Sequence, residues 1–204
     1  MKPSRSFTWA ALSLPLLALT WHLTKGREPA LPAVQAPKSL EAPPMCPWRE
    51  PQVDMKRFFP GATHFRYETS AFSNKLSNVR KRLGRWPTAD EHPLYWHRVY
   101  GKKQPLGAIL TKRVKGEYGA IEIVLAIQDN KVAGMRIQRM REPQSIAQTL
   151  NSANWQRSFV GKTSRNGWQL GKDVPSVQPE ARNSAQAVIE AVRTLLVLHE
   201  ISES

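Results

Sequence analysis

The segment that most restricts the possible folds is Ala120–Gln128, AIEIVLAIQ. Ile121, Ile123, Leu125 and Ile127 recur at every second position, so in an extended chain they share one face, with Glu122, Val124 and Gln128 on the other. Asp129 and Asn130, which tolerate positive φ, follow at once, and residues 131–140 resume with Ala133, Met135 and Ile137 on one face. This predicts a β-hairpin, and an isolated hairpin with an apolar face needs further strands or a helix to cover it. Two more runs of strand type, 94–100 and 106–112, precede it, separated by Gly101 and Pro105, and Gly116 to Gly119 form the turn that leads into the hairpin. Near the C-terminus Val188, Ala191, Val192, Leu195 and Leu198 repeat at helical spacing; Asn183 is the expected cap, Gln186 the residue that returns a bond to it, and Ile201 the expected end of structure. Shorter helices are predicted over 52–59, with Val53, Met55, Phe58 and Phe59 inward, and over 144–150 after Pro143. The sum is an α+β domain over residues 52–201, an antiparallel sheet with segregated helices.

Two different segments precede that domain. Residues 1–28 carry Lys2 and Arg5, the 13-residue apolar run FTWAALSLPLLAL from Phe7 to Leu19, and then Lys25 and Arg27. This reads as an export signal. No small-x-small cleavage site follows at the usual distance, Val34-x-Ala36 being far downstream, so an uncleaved anchor extended through Leu23 is expected, with Trp9 and Trp21 near the two membrane interfaces. Residues 29–51 hold seven prolines and little apolar mass, which favours an extended spacer. Cys46 lies in that spacer and reads as a bystander thiol.

Charge and chemistry narrow the function. With 30 Lys and Arg against 16 Asp and Glu the chain carries +14, which first suggests nucleic acid. Tyr67, Trp86, Tyr95 and Trp96 interleave with basic residues as in single-strand binders, yet these aromatics fall in strand patterns that read as core, and export removes the chain from cytoplasmic nucleic acid. Anionic membrane surfaces or acidic protein partners fit better. The densest basic run, 73–87, reads as a solvated face. One cysteine excludes disulfide frameworks, multi-cysteine zinc sites and iron–sulfur clusters. The phosphate-loop, dinucleotide, zinc-protease and serine-hydrolase motifs are absent, and His64, His92, His97 and His199 have no ligand spacing, so no metal and no catalytic residue is assigned.

A series of short blocks carries a resemblance. Phe59-Pro-Gly-Ala-Thr63, Tyr95 to Tyr100, Gly116-Glu-Tyr-Gly119 leading into Ile121-Glu-Ile-Val-Leu-Ala-Ile127, Asn130-Lys-Val132, Glu142-Pro143, Trp155 with Phe159-Val-Gly-Lys162, and Ala187-Val-Ile-Glu-Ala-Val192 occur in that order. Together, over residues 55–198, they resemble the FMN-binding domain of the membrane-anchored subunits of Rnf- and Nqr-type ion-pumping complexes and of NosR-type regulators. The resemblance implies an anchored, periplasmic flavoprotein fold serving electron transport with a membrane redox partner, and an electron-transfer or accessory role rather than a stand-alone catalyst.

That family esterifies FMN to a Thr in Ser/Thr-Gly-Ala-Thr-x-Ser just before its last helix. Here the run is Pro179-Glu180-Ala181-Arg182-Asn183-Ser184; Ala181 and Ser184 match, and Arg182 stands where the Thr would be. Covalent attachment by that route is therefore not expected. Two readings stay open. Arg182, Asn183, Ser184 and the helix amides hold the phosphate of a non-covalent FMN, with Gly119 and Glu142 near the ring. Alternatively Glu180 repels a phosphate, the flavin is lost, and the domain serves as an interaction or assembly module. Polyanion binding by the basic domain is the third reading.

Overall fold

The computed structural model describes residues 46–204. The expected anchor and most of the proline-rich spacer lie outside the described residues. The elements are α1 (Pro51–Phe58), β1 (His64–Ser70), α2 (Leu76–Leu83), β2 (Leu94–Tyr100), β3 (Pro105–Lys115), β4 (Ala120–Gln128), β5 (Lys131–Met140), α3 (Gln144–Asn151), α4 (Ala153–Arg157) and α5 (Arg182–Glu203). The strands make one antiparallel sheet in sequence order, β1-β2-β3-β4-β5, which with its helices is the α+β class that the sequence predicts.

Short connections enforce that order. Gln128 faces Lys131 across the turn at Asp129 and Asn130, whose φ values of 51° and 58° are the left-handed pair that suits a twisted two-residue hairpin. Two irregularities interrupt the β4–β5 register, one between Ala126 and Ile127, the other between Glu122 and Ile123. The first turns Ala133 to the opposite side from Met135 and Ile137, correcting the simple alternation expected there: Ala133 packs with Phe59 and Val124, whereas Met135 and Ile137 lie with Ile123 and Leu125. Strand β1 has no counterpart in the sequence reading, because it is an edge strand in which Arg66 and Glu68 alternate with Phe65 and Tyr67 and only the second strand supports it.

Helix α5 covers one face of the sheet. Its expected stripe is buried, and so are Ile189, Leu196, Val197 and Ile201, so the helix is enclosed nearly all round. Leu125, Ile127, Trp155, Phe159 and Trp168 join it in one apolar cluster. The helix runs to Glu203, two residues past the expected end.

The opposite face carries α1 and a strap, residues 46–50. Met55 and Phe59 pack on Val99, Ile109, Val124 and Ala126, with Trp48 and Phe65 alongside. Val53, expected inward, is 53% exposed, and its neighbour Asp54 is fully buried instead. Asp54 accepts bonds from Arg136 Nε (2.7 Å), Arg136 Nη2 (2.8 Å) and Trp48 Nε1 (2.9 Å), and this pairing rotates the helix. The strap residues, assigned by sequence to the end of the spacer, are part of the folded unit: Arg49 reaches Glu122 at 2.7 Å, and Thr111 donates to the Cys46 carbonyl. Cys46 itself is buried.

Candidate functional site

The six residues singled out from the sequence, Gly119, Glu142, Ala181, Arg182, Asn183 and Ser184, come from three separate stretches. The fold brings these stretches together at one end of the sheet. The β3–β4 turn closes through Gly116 N–H to the Gly119 carbonyl at 2.7 Å. Arg141, just beyond β5, donates to the Ala120 carbonyl at 2.9 Å and so sets Glu142 beside that turn. The Glu142 carboxylate accepts long bonds from the amides of Tyr118 (3.3 Å) and Gly119 (3.4 Å). From the other side Ser184 Oγ accepts the Glu117 amide at 2.9 Å, and Asn183 Nδ2 donates to Glu117 Oε2 at 2.6 Å.

Contact here is close enough to require glycine. A Cβ on Gly116 would run into the Glu142 carboxylate and crowd Ser184 Oγ, and one on Gly119 would strike the Arg141 carbonyl. The turn is therefore clamped between the end of β5 and the start of α5, and each polar group named so far has a partner inside the protein. Glu117, which the sequence reading passed over, is the link between the turn and Asn183. Only its place inside the Gly-x-x-Gly turn could have drawn attention to it.

The helix start differs from the expectation. A 3-10 turn over Pro179–Ala181 precedes α5, so Asn183 sits inside the helical run and is not its cap, while Gln186 bonds Glu190 at 3.2 Å rather than returning to the start. Proline explains the shift, since its fixed φ suits a first helical position and it has no N–H to leave unpaired. The Ala181 amide bonds the Gln178 carbonyl at 3.0 Å, and that of Arg182 bonds Pro179. The amides of Ala181 and Arg182 are thus already spent on the start of the helix itself.

These observations bear on FMN. Ser184 is fully buried and its oxygen holds the turn, and Arg182 has no hydroxyl, so the residues do not fit a phosphoester. Nor do they favour a phosphate cradled by Asn183, Ser184 and the amides: Asn183 Nδ2 already donates to Glu117, Ser184 Oγ already accepts the Glu117 amide, and the Ala181 and Arg182 amides bond within the helix start. Arg182 is the exception: it is exposed, and its guanidinium has no ion-pair or hydrogen-bond partner among the described residues. Tyr118, at 67% exposed, leaves an aromatic ring in solvent on the same turn.

A second concave region lies between the strap and the loop before β2. This cavity of about 240 Å³ is lined by Cys46, Tyr67, Glu91, Tyr95, His97 and Lys112, among others. A thiol near an imidazole invites a nucleophile reading, but the electrostatics oppose it. Burial, reinforced by the Glu122 charge, pushes the Cys46 thiol up to about 11, and burial pushes His97 down to about 4. Both groups are neutral near pH 7, without the thiolate that such chemistry needs. Glu91 in the same wall is opposed by burial, yet Arg85, the Thr88 amide and Lys112 hold it down to about 2. It ties this loop to β3.

Among the described residues no cluster of three or more His, Cys, Asp or Glu could hold a metal ion, and no helix is long and apolar enough to cross a membrane. The basic run at 73–87 is partly structural: Arg82 pairs with Glu200 at 2.7 Å, Arg85 with Glu91 at 2.7 Å, and Arg80 lies over the Trp86 ring. No protein-family model matches the chain, and no curated protein matches it either.

Proposed function

We propose that the chain is a membrane-anchored, extracytoplasmic accessory protein whose domain is of the FMN-binding type and works without flavin, as an interaction or assembly module of a membrane redox system. One observation carries this reading. The three stretches that the resemblance assigns to a flavin site meet, but their polar groups satisfy one another: Glu142 and Ser184 hold the turn amides, and Asn183 holds Glu117. A phosphate would have to displace these bonds to enter, at a cost of about 0.5–1.5 kcal/mol for each. The order of the sequence blocks and the apolar run near the N-terminus support the family and the anchored location.

A second reading is favoured by Arg182, whose open guanidinium offers a fixed fork of donors to the phosphate of a non-covalent FMN. Titration of the full chain in neutral detergent with FMN, followed by flavin fluorescence, separates the two. The flavin-free reading expects a colourless protein as isolated and no quenching at high micromolar FMN. Saturable quenching that is lost in Arg182→Gln would replace it with the second reading.

A further inference from the structure

The outer face of the sheet carries a cluster that the proposed function does not use. Arg113 on β3, Glu122 on β4 and Arg139 on β5 are register partners across three adjacent strands, Arg113 opposite Glu122 and Glu122 opposite Arg139. Arg49 arrives from the strap. Glu122 is nearly buried, with only 5% of its side chain exposed, and its two oxygens are taken by Arg49 (2.7 and 3.1 Å) and Arg113 (2.8 and 3.2 Å). Arg139 therefore stands directly across from a carboxylate whose acceptors are occupied.

Arg141 follows on the same side, and Arg113, Ala120, Glu122, Arg139 and Arg141 line a shallow cavity of about 160 Å³. Among the described residues neither Arg139 nor Arg141 has an ion-pair partner, and both are exposed. Two guanidiniums thus share the one carboxylate and two stand unpaired beside it, a net of three positive charges. Arg49 and Arg113 hold that carboxyl below its ordinary range, so Glu122 stays ionised and fixed at neutral pH.

We propose that this cavity is a binding site for a phosphate-bearing anion, with Arg139 and Arg141 as its open donors and Arg113, held in place by Glu122, as the third. Guanidinium forks match phosphate oxygens with paired, charge-assisted bonds, and a concave floor between strands restricts the ligand to one small group rather than a flat polyanion. The same chemistry is offered by a phospholipid headgroup and by a soluble phosphate compound. The cavity adjoins the clamped turn at Gly116 to Gly119 through Ala120 and Arg141, but its guanidiniums are not the groups that hold that turn, and its occupation does not depend on whether flavin binds near Arg182.

The test is calorimetric titration of the full chain in neutral detergent with two probes, inorganic phosphate and short-chain phosphatidylglycerol, with short-chain phosphatidylcholine as the neutral reference. Arg139→Gln with Arg141→Gln is compared with Lys56→Gln and Arg57→Gln, which remove the same charge on α1. Two lost cationic contacts are expected to weaken binding about thirty-fold, whereas the α1 pair changes it little. Loss confined to phosphatidylglycerol assigns the site to lipid headgroups, and loss with both probes assigns it to phosphate groups in general. Absence of binding to either probe, or an equal loss in the α1 pair, overturns the proposal. A thermal melt of each variant confirms that these exposed substitutions leave the fold intact.

Discussion

The face of the sheet beneath α5 is closed by Ile123, Leu125, Val188, Leu195 and their neighbours, whereas the opposite face is closed by Met55, Phe59 and Val99 together with two buried carboxylates, Asp54 and Glu122. A 22-residue helix presents enough apolar surface to hold itself down. An eight-residue helix and a five-residue strap do not, and the Asp54–Arg136 and Arg49–Glu122 ion pairs fasten them instead. The two halves are therefore vulnerable in different ways. Apolar closure is spread over many contacts, while ionic closure concentrates in a few groups that become costly once a partner is removed.

The largest effect is expected from Asp54→Ala. It takes the buried acceptor away from both Arg136 and the Trp48 indole N–H and leaves Arg136 only the exposed Glu50, so a loss of about 3 kcal/mol is expected in chemical denaturation. If the ionic side is as concentrated as described, adding Arg136→Met recovers part of that loss; a double variant as unstable as the single would argue against it. Leu198→Ala on the apolar side removes a fully buried side chain and should cost about 3 kcal/mol, with no single partner change able to restore it.

Acid gives a smaller effect, and it strikes both faces together. His97 lies on the strap side against Trp48 and Phe65, and His199 lies on the α5 side with its ring edge to Trp96. Burial holds both folded-state values near 4, below the ordinary 6.5. The unfolded chain therefore takes up protons first, so their contribution is complete above pH 6.5 and is lost as the pH falls towards 4. About 1–2 kcal/mol for each ring is expected by pH 5. Glu91 titrates in a separate window, from its ordinary 4.5 down to about 2. Melting curves of His199→Phe across pH 7 to 4 should be flatter than those of the parent chain, and an unchanged slope would remove His199 from the account.

Much of the α5 side was legible in the sequence, because strict alternation in β4 and helical spacing in α5 are what a fully apolar interface requires. The hairpin turn was legible for the same reason, since Asp129 and Asn130 are among the few residues that accept its backbone. The strap side was not. Residues 46–50 look like the tail of a proline-rich spacer, and only the tertiary positions of Glu122, Thr111 and Gln138 give them partners. A buried Asp54 has no periodic signal at all. At the candidate site the stretches that the resemblance gathers do meet, but Asn183 Nδ2 and the Ser184 oxygen bond the protein's own turn.

Cys46, the one thiol of the chain, is buried at the head of the strap and stays protonated well above neutral pH. It therefore makes a poor target for oxidants and for disulfide exchange while the strap is seated. Reaction with a thiol reagent must wait until the Arg49–Glu122 pair opens and the strap lifts. The labelling rate of this cysteine is thus a clock for local opening of the N-terminal attachment, read without adding any probe to the protein.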